Sequence, residues 1–279
     1  MTDYVKSTEE FALKIRIEIM KMLGHRGFGH IGGCFSCADL FAVLYNGVIR
    51  IDPQNADMDS RDRFLISKGH AGPTAYATLA LKGFFPKDWL LTLNEGGTRL
   101  PSHCDRAKTP GIDFTTGSLG QGLSVAVGVA YAYKMDKKDS AVYVLLGDGE
   151  LQEGQIWEAA MAASKYRLSN ICCFIDANKY QIDGSTDEIM PLIDIAEKFN
   201  AFGWYVQQVD GHDVLSIKSA IEIAKKAKNK PCAIILDTIK GYGYEEISSL
   251  NNLSHHMVFS EGLCKRVIEK LEKELTSHR

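Results

Sequence analysis

The chain has no apolar run approaching the roughly 18 residues that would span a bilayer. Its opening residues, Met1-Thr2-Asp3-Tyr4-Val5-Lys6-Ser7, carry no signal-peptide core, so the expected location is the cytoplasm. Charge of either sign is not in excess: 32 basic against 35 acidic residues leave a formal charge of −3. That balance gives no electrostatic case for nucleic acid or an anionic membrane. Proline is scarce, at 7, and no repeat, low-complexity tract or long linker breaks the sequence. Cysteine, also 7, is odd in number and has no scaffold-like spacing, which argues against a disulfide framework. Cys34 and Cys37 form a C-x-x-C with no second pair for zinc and no strand before it, so both read as inert. Cys172 and Cys173 read as small core fillers.

What is present is an alternation of element types over 279 residues, enough to bury a sizeable core. Helical periodicity runs over 8–24, a glycine-rich loop covers 27–33, and a helix is expected at 36–48. A short strand at 63–67 leads through Lys68-Gly69-His70 into another helix. An irregular stretch, 95–117, precedes a small-residue helix at 118–134. Strands at 142–146 and 171–175 flank a helix at 153–168. Helices at 191–201 and 213–228 then alternate with strands at 204–209 and 232–239, and a closing helix covers 259–275. This order predicts one α/β domain spanning 1–279, with a mainly parallel sheet covered by helices on both faces.

Within that frame Gly147-Asp148-Gly149 ends one apolar strand, and Asp176-Ala177-Asn178 ends the next. The thirty positions from Asp148 to Asn178 are about one βαβ unit. Both side chains would therefore stand at the carboxyl edge of the sheet, where open α/β folds bind ligands. A carboxylate, an amide oxygen and the Tyr180 carbonyl suit a small hard cation such as Mg2+, with a phosphate completing its shell. Alone, Gly-Asp-Gly is more often simply a tight turn. Thr115-Thr116-Gly117-Ser118-Leu119-Gly120-Gln121-Gly122 opens a helix whose free N–H groups could meet an anion. Gly149 offers a second amide at the same edge.

Three histidines lie in glycine- or proline-flanked loops: His30, His70 and His103; His255 and His256 form a later pair. A lone loop histidine is usually just solvated, but three beside a diphosphate site can shuttle protons near neutral pH. His25, His212 and His278 give no such signal. Lys68 and Lys240 could neutralise phosphate or could merely be solvated. Glu153 reads either as a favourable first-turn carboxylate or as a buried group at a subunit boundary.

Taken together, residues 8–258 resemble the diphosphate-binding half of transketolase. The matching blocks are Gly29-His30-Ile31-Gly32-Gly33, Ser67-Lys68-Gly69-His70-Ala71, Thr115 to Leu123, Gly147 to Ala159, Asp176 to Gly184, and Asp210-Gly211-His212-Asp213 followed by Thr238 to Gly243. The resemblance implies a thiamine-diphosphate-binding fold holding thiamine diphosphate through Mg2+, with Ca2+ or Mn2+ able to take its place. Asp148, Asn178 and the Tyr180 carbonyl would be metal ligands. His70, Gly117, Ser118, Leu119, Gly149 and Asn178 would contact the cofactor, with Lys68 and Lys240 nearby. His30, His103 and His255 would face a sugar phosphate and move its protons. Leu253-Ser254 precedes the late histidines where the family usually has an aromatic residue.

The resemblance stops early. Transketolases carry a second α/β domain, which supplies the glutamate that activates the aminopyrimidine, and a third C-terminal domain. The expectation is therefore an N-terminal subunit of a split transketolase, joined to a C-terminal, pyrimidine-binding partner in an α2β2 heterotetramer. Glu153 would then reach toward the partner near the active sites. The reaction implied is transfer of a two-carbon ketol unit from a ketose phosphate to an aldose phosphate. A branched or sulfonated sugar, or a non-catalytic cofactor-binding subunit, remains the alternative.

Overall fold

The computed structural model describes residues 3–278. Seven strands occur among the described residues: β1 (Phe28–Gly29), β2 (Arg63–Ile66), β3 (Val142–Gly147), β4 (Ile171–Ala177), β5 (Tyr205–Asp210), β6 (Cys232–Asp237) and β7 (Met257–Val258). Five of them form one sheet in the order β2-β3-β4-β6-β5, and every pairing is parallel. β1 and β7 make a separate antiparallel ribbon.

Alternate strand residues point to opposite faces, and each face has its own core. Phe64, Tyr143, Phe174 and Ile234 join the core built with Ile15, Phe41, Ile217 and Val267 from helices Asp3–Arg26, Ala38–Val43, Val214–Ala224 and Glu261–Ser277. Leu65, Val144, Cys173 and Ile235 join the core built with Leu123, Ala160 and Phe199 from helices Gly122–Met135, Gly154–Lys165 and Ile195–Ala201. Burial on both sides is why β3 and β4 read as unbroken apolar runs rather than as alternating ones. No helix of the described residues is long and apolar enough to cross a membrane.

Several boundaries differ from the sequence expectation, each for a local reason. The helix expected at 36–48 begins at Ile31, pauses at Cys37, and ends in a wide turn at Leu44–Val48, where Gly47 adopts φ +106. Only the start of the glycine-rich 27–33 segment is thus free of helix. The helix expected from 118 begins at Gly122, because Gly117 (φ +129) and Gly120 (φ +84) hold the preceding turn in left-handed backbone. The helix expected from 191 begins at Ile195, where the Asp194 side chain accepts the Glu197 N–H at 2.8 Å. Residues 95–117 contain no helix or strand beyond isolated turns, as anticipated.

Candidate active site at the carboxyl edge of the sheet

Because the strands are parallel, their carboxyl ends lie along one edge. Lys68 and His70 follow β2, Asp148 follows β3, Asn178 and Tyr180 follow β4, and Lys240 follows β6. A cavity of about 200 Å3 opens there, lined by Lys68, His70, Leu119, Asp148, Gly149, Glu150, Asn178, Tyr180 and His255 among others. A larger cavity of about 670 Å3, bordered by Arg63, Arg106 and Tyr133, contains none of the residues singled out from the sequence.

Asp148 is buried, and its oxygens accept only backbone N–H groups, from Gly149 at 2.8 Å and from Lys179. Burial, with Asp176 adding repulsion, pushes its carboxyl up to about 6. The Asn178 Oδ1 accepts the Tyr180 N–H at 3.2 Å. The Tyr180 carbonyl accepts from Lys240 Nζ at 2.8 Å. A buried carboxylate with no ion pair among the described residues, beside an amide oxygen and a carbonyl, is a donor set that a hard cation fits.

The solvated reading of Lys68 needs correction, and its charge already has a partner. Its ammonium is wholly enclosed (1% exposed), pairs with Asp176, and donates to the Gly33 carbonyl at 2.9 Å. Burial opposes that charge, but Asp176 outweighs it and keeps the lysine above its usual range; Asp176 in turn is held low. Ser36 and Thr238 also donate to Asp176. Lys240 differs: it too is buried, but no carboxylate among the described residues pairs with it. Burial, then the charge of Lys68, lowers it to about 8.

The histidines converge. The His30 ring centroid lies 5.8 Å from His70, 6.2 Å from His103, 5.4 Å from His255 and 5.1 Å from His256. His70 and His255 are 4.7 Å apart. Burial depresses His30 to about 4, with neighbouring His256 and His103 adding to it, and depresses His255 to about 3, with Lys240 adding to it. His70 is well below its usual value through burial and Lys68, and burial lowers His103 as well. These four are therefore neutral near pH 7. Of the late pair, His255 lines the cavity, while His256 is exposed and packs on Phe28 at 5.7 Å.

Glu153 does not line this cavity; it is exposed at the N-cap of Gly154–Lys165. Gly117 packs against Gly69 and His103, while Ser118 lines a neighbouring hollow with Ser67 and Thr116. The carboxylate that builds the turn is Glu150, which the sequence reading passed over. It accepts from Ser67 Oγ, from Gly120 N at 2.9 Å and from Gly147 N at 3.0 Å. Asp176, which the sequence shows only as part of a strand end, lies inside β4, and a carboxylate closing an apolar run is the signal for such a buried partner.

The family model described as transketolase, thiamine diphosphate binding domain, matches residues 7–275. A 6-deoxy-6-sulfo-D-fructose transketolase subunit of Clostridium sp. is 51% identical over 93% of this chain and 94% of its own length. An apulose-4-phosphate transketolase subunit of Phocaeicola vulgatus is 39% identical over 97% and 98%. Human transketolase is 36% identical, but this chain spans only 44% of it. Crystal structures of transketolase from Pichia stipitis and Campylobacter jejuni each superpose with a TM-score of 0.88 at 30% identity, covering 97% and 99% of this chain and 40% and 43% of theirs. The chain belongs to the transketolase thiamine-diphosphate-binding domain family.

Proposed function

We propose that this chain is the diphosphate-binding subunit of a two-subunit transketolase that moves a two-carbon ketol unit from a ketose phosphate to an aldose phosphate. The observation that carries the reading is a contrast in coverage. The chain spans 94% and 98% of relatives named as transketolase subunits, yet 44% of the human single-chain enzyme. The missing share corresponds to a pyrimidine-binding, C-terminal partner, and an α2β2 heterotetramer in the cytoplasm is the assembly we expect. The described chain is accordingly one diphosphate-side domain.

In this reading Asp148, Asn178 and the Tyr180 carbonyl hold Mg2+, or Ca2+ or Mn2+ in its place. The Gly117, Ser118, Leu119 and Gly149 backbone, with His70, holds the diphosphate. Bound there, thiamine diphosphate supplies the nucleophilic carbon that carries the two-carbon unit. The chain's own residues do the rest. His30 and His103, neutral near pH 7, accept and return protons at the sugar hydroxyls. His255 offers an N–H from the ring nitrogen that faces away from Lys240. Glu153, exposed beside the Gly120 turn, would reach toward the partner.

A second reading concerns the donor. The 51% identity to the 6-deoxy-6-sulfo-D-fructose transketolase subunit, against 39% to the apulose-4-phosphate subunit, supports a sulfonated ketose as the alternative donor. One experiment tests both. The chain is mixed with its partner, thiamine diphosphate and Mg2+, and ketol transfer is followed from each donor. Transfer by the wild type, abolished in Asp148→Ala, supports the reading. Activity retained by Asp148→Ala removes the metal assignment, and cofactor binding without transfer from any ketose favours the non-catalytic alternative.

A further inference from the structure

His212 follows β5 in the turn Asp210-Gly211-His212-Asp213 and lies outside the cavity, yet both ring nitrogens are committed. The Ile239 N–H donates to Nε2 at 2.9 Å. A backbone N–H can only donate, so Nε2 is unprotonated and Nδ1 carries the hydrogen. That nitrogen lies 2.8 Å from Asp39 Oδ2. Asp39 is held in turn by the Arg16 fork at 2.9 and 2.6 Å, and Arg16 also donates to the Phe35 carbonyl at 3.0 Å. The Tyr242 ring stacks on His212 at 3.5 Å between centroids and 11° between planes, with the Arg16 guanidinium 5.1 Å from the same ring.

These contacts seize the segment 238–244, which leaves β6 and carries Lys240. Ile239 is gripped through its amide and Tyr242 through its ring. The Gly241 N–H donates to the Gly32 carbonyl at 2.9 Å. Gly241 (φ +79) and Gly243 (φ +104) let the backbone pass where L side chains would strain, and a Cβ on Gly243 would meet Arg16 at 3.0 Å. Between the two gripped residues stands Lys240, whose ammonium reaches the Tyr180 carbonyl at 2.8 Å and His255 Nδ1 at 3.1 Å.

We propose that His212 is a positioning residue: through the Ile239 amide and the Tyr242 ring, braced by Asp39 and Arg16, it sets the register of segment 238–244 and thereby places Lys240 against the Tyr180 carbonyl and His255. The inference rests on the reading of Tyr180 as a metal ligand. The test separates this positioning role from a contribution to stability alone. His212→Phe keeps a stacking ring and removes both hydrogen bonds. Lys240→Met removes the group that His212 is said to place.

The affinity of the full chain, with its complementary subunit, for Mn2+ in the presence of thiamine diphosphate is measured for wild type, each single variant and the double variant. Thermal midpoints are recorded alongside. Groups that orient metal ligands from behind typically change metal affinity by about 10–100-fold, so His212→Phe is expected to weaken Mn2+ by about tenfold or more. The double variant should be no weaker than Lys240→Met alone, because the two act through one contact. His212→Gln, which can accept and donate, should recover part of the affinity. Additive losses, or unchanged Mn2+ affinity with a lowered midpoint, overturn the proposal in favour of a stability role. If His212→Phe does not fold, Tyr242→Leu, which removes the stacking face, takes its place in the cycle. A wild-type protein that binds neither Mn2+ nor thiamine diphosphate defeats the functional reading itself, a result distinct from additivity.

Discussion

The Lys240 ammonium lies 3.1 Å from Nδ1 of His255, and this single contact decides how that imidazole presents itself. An ammonium has only hydrogens to give, so Nδ1 must accept and the remaining proton resides on Nε2. His255 therefore offers a donor, not a base, to the cavity. Replacing Lys240 with Met frees the tautomer. In 15N-resolved spectra the His255 signals of Lys240→Met should shift toward a mixture of tautomers, while His30 stays neutral. An unchanged single tautomer would show that something other than Lys240 fixes the ring.

Lys68 and Asp176 form a buried pair, so removing one partner strands the other. Lys68→Met should cost about 3–5 kcal/mol in urea unfolding of the chain without cofactor. A lysine serving mainly to neutralise cofactor phosphate would show little loss in that state. The unfolding midpoint distinguishes the two.

Asp148 is the reverse case, a buried carboxylate beside Asp176 with no cation of its own among the described residues. Asp148→Asn keeps an acceptor for the Gly149 N–H and turns an NH2 group toward the Lys179 N–H, a loss smaller than the gain from removing the uncompensated buried charge. The thermal midpoint of the metal-free chain should rise, and the further rise on adding Mg2+ with thiamine diphosphate should vanish. A lower metal-free midpoint would contradict this account.

Glu150 accepts three donors at once, from Ser67, Gly120 and Gly147. Glu150→Gln puts an NH2 group where acceptors are needed and should cost about 1–3 kcal/mol. The glycine turn at 117–122 should also exchange amide hydrogens faster. Protection equal to wild type would mean that the turn holds itself.

Acid should destabilise the chain through its histidines. His30 is lowered to about 4 and His255 to about 3, from an ordinary 6.5. The unfolded chain thus binds protons first, and the stability that these residues contribute is complete above about pH 6.5 and lost as pH falls through the folded values. Urea midpoints should drop between pH 7.5 and 5 for wild type, and less steeply for His30→Asn. Parallel slopes would remove His30 as a source.

Much of this molecule was legible before folding. Alternating apolar runs and helical stripes give the parallel sheet, because burial on both faces writes itself into local composition. The spacing of Asp148 and Asn178 across one βαβ unit places them on one edge, and the loop positions of His30, His70 and His103 bring them near it. Helix starts were less legible at Gly122 and Ile195, where left-handed backbone and a capping aspartate set the boundary.

What the sequence alone determined, then, was the architecture and the residue types gathered at the sheet edge, since both follow from short-range periodicity and from where strands end. Only the tertiary structure decided what each charged group does. Lys68 and Asp176 stand 108 positions apart, and His212 and Asp39 173 apart. No local pattern encodes such pairings. Whether a lysine meets phosphate or a carboxylate, and which histidine nitrogen carries its proton, depends on the partner that folding delivers into the same buried volume, where an unpaired charge is costly.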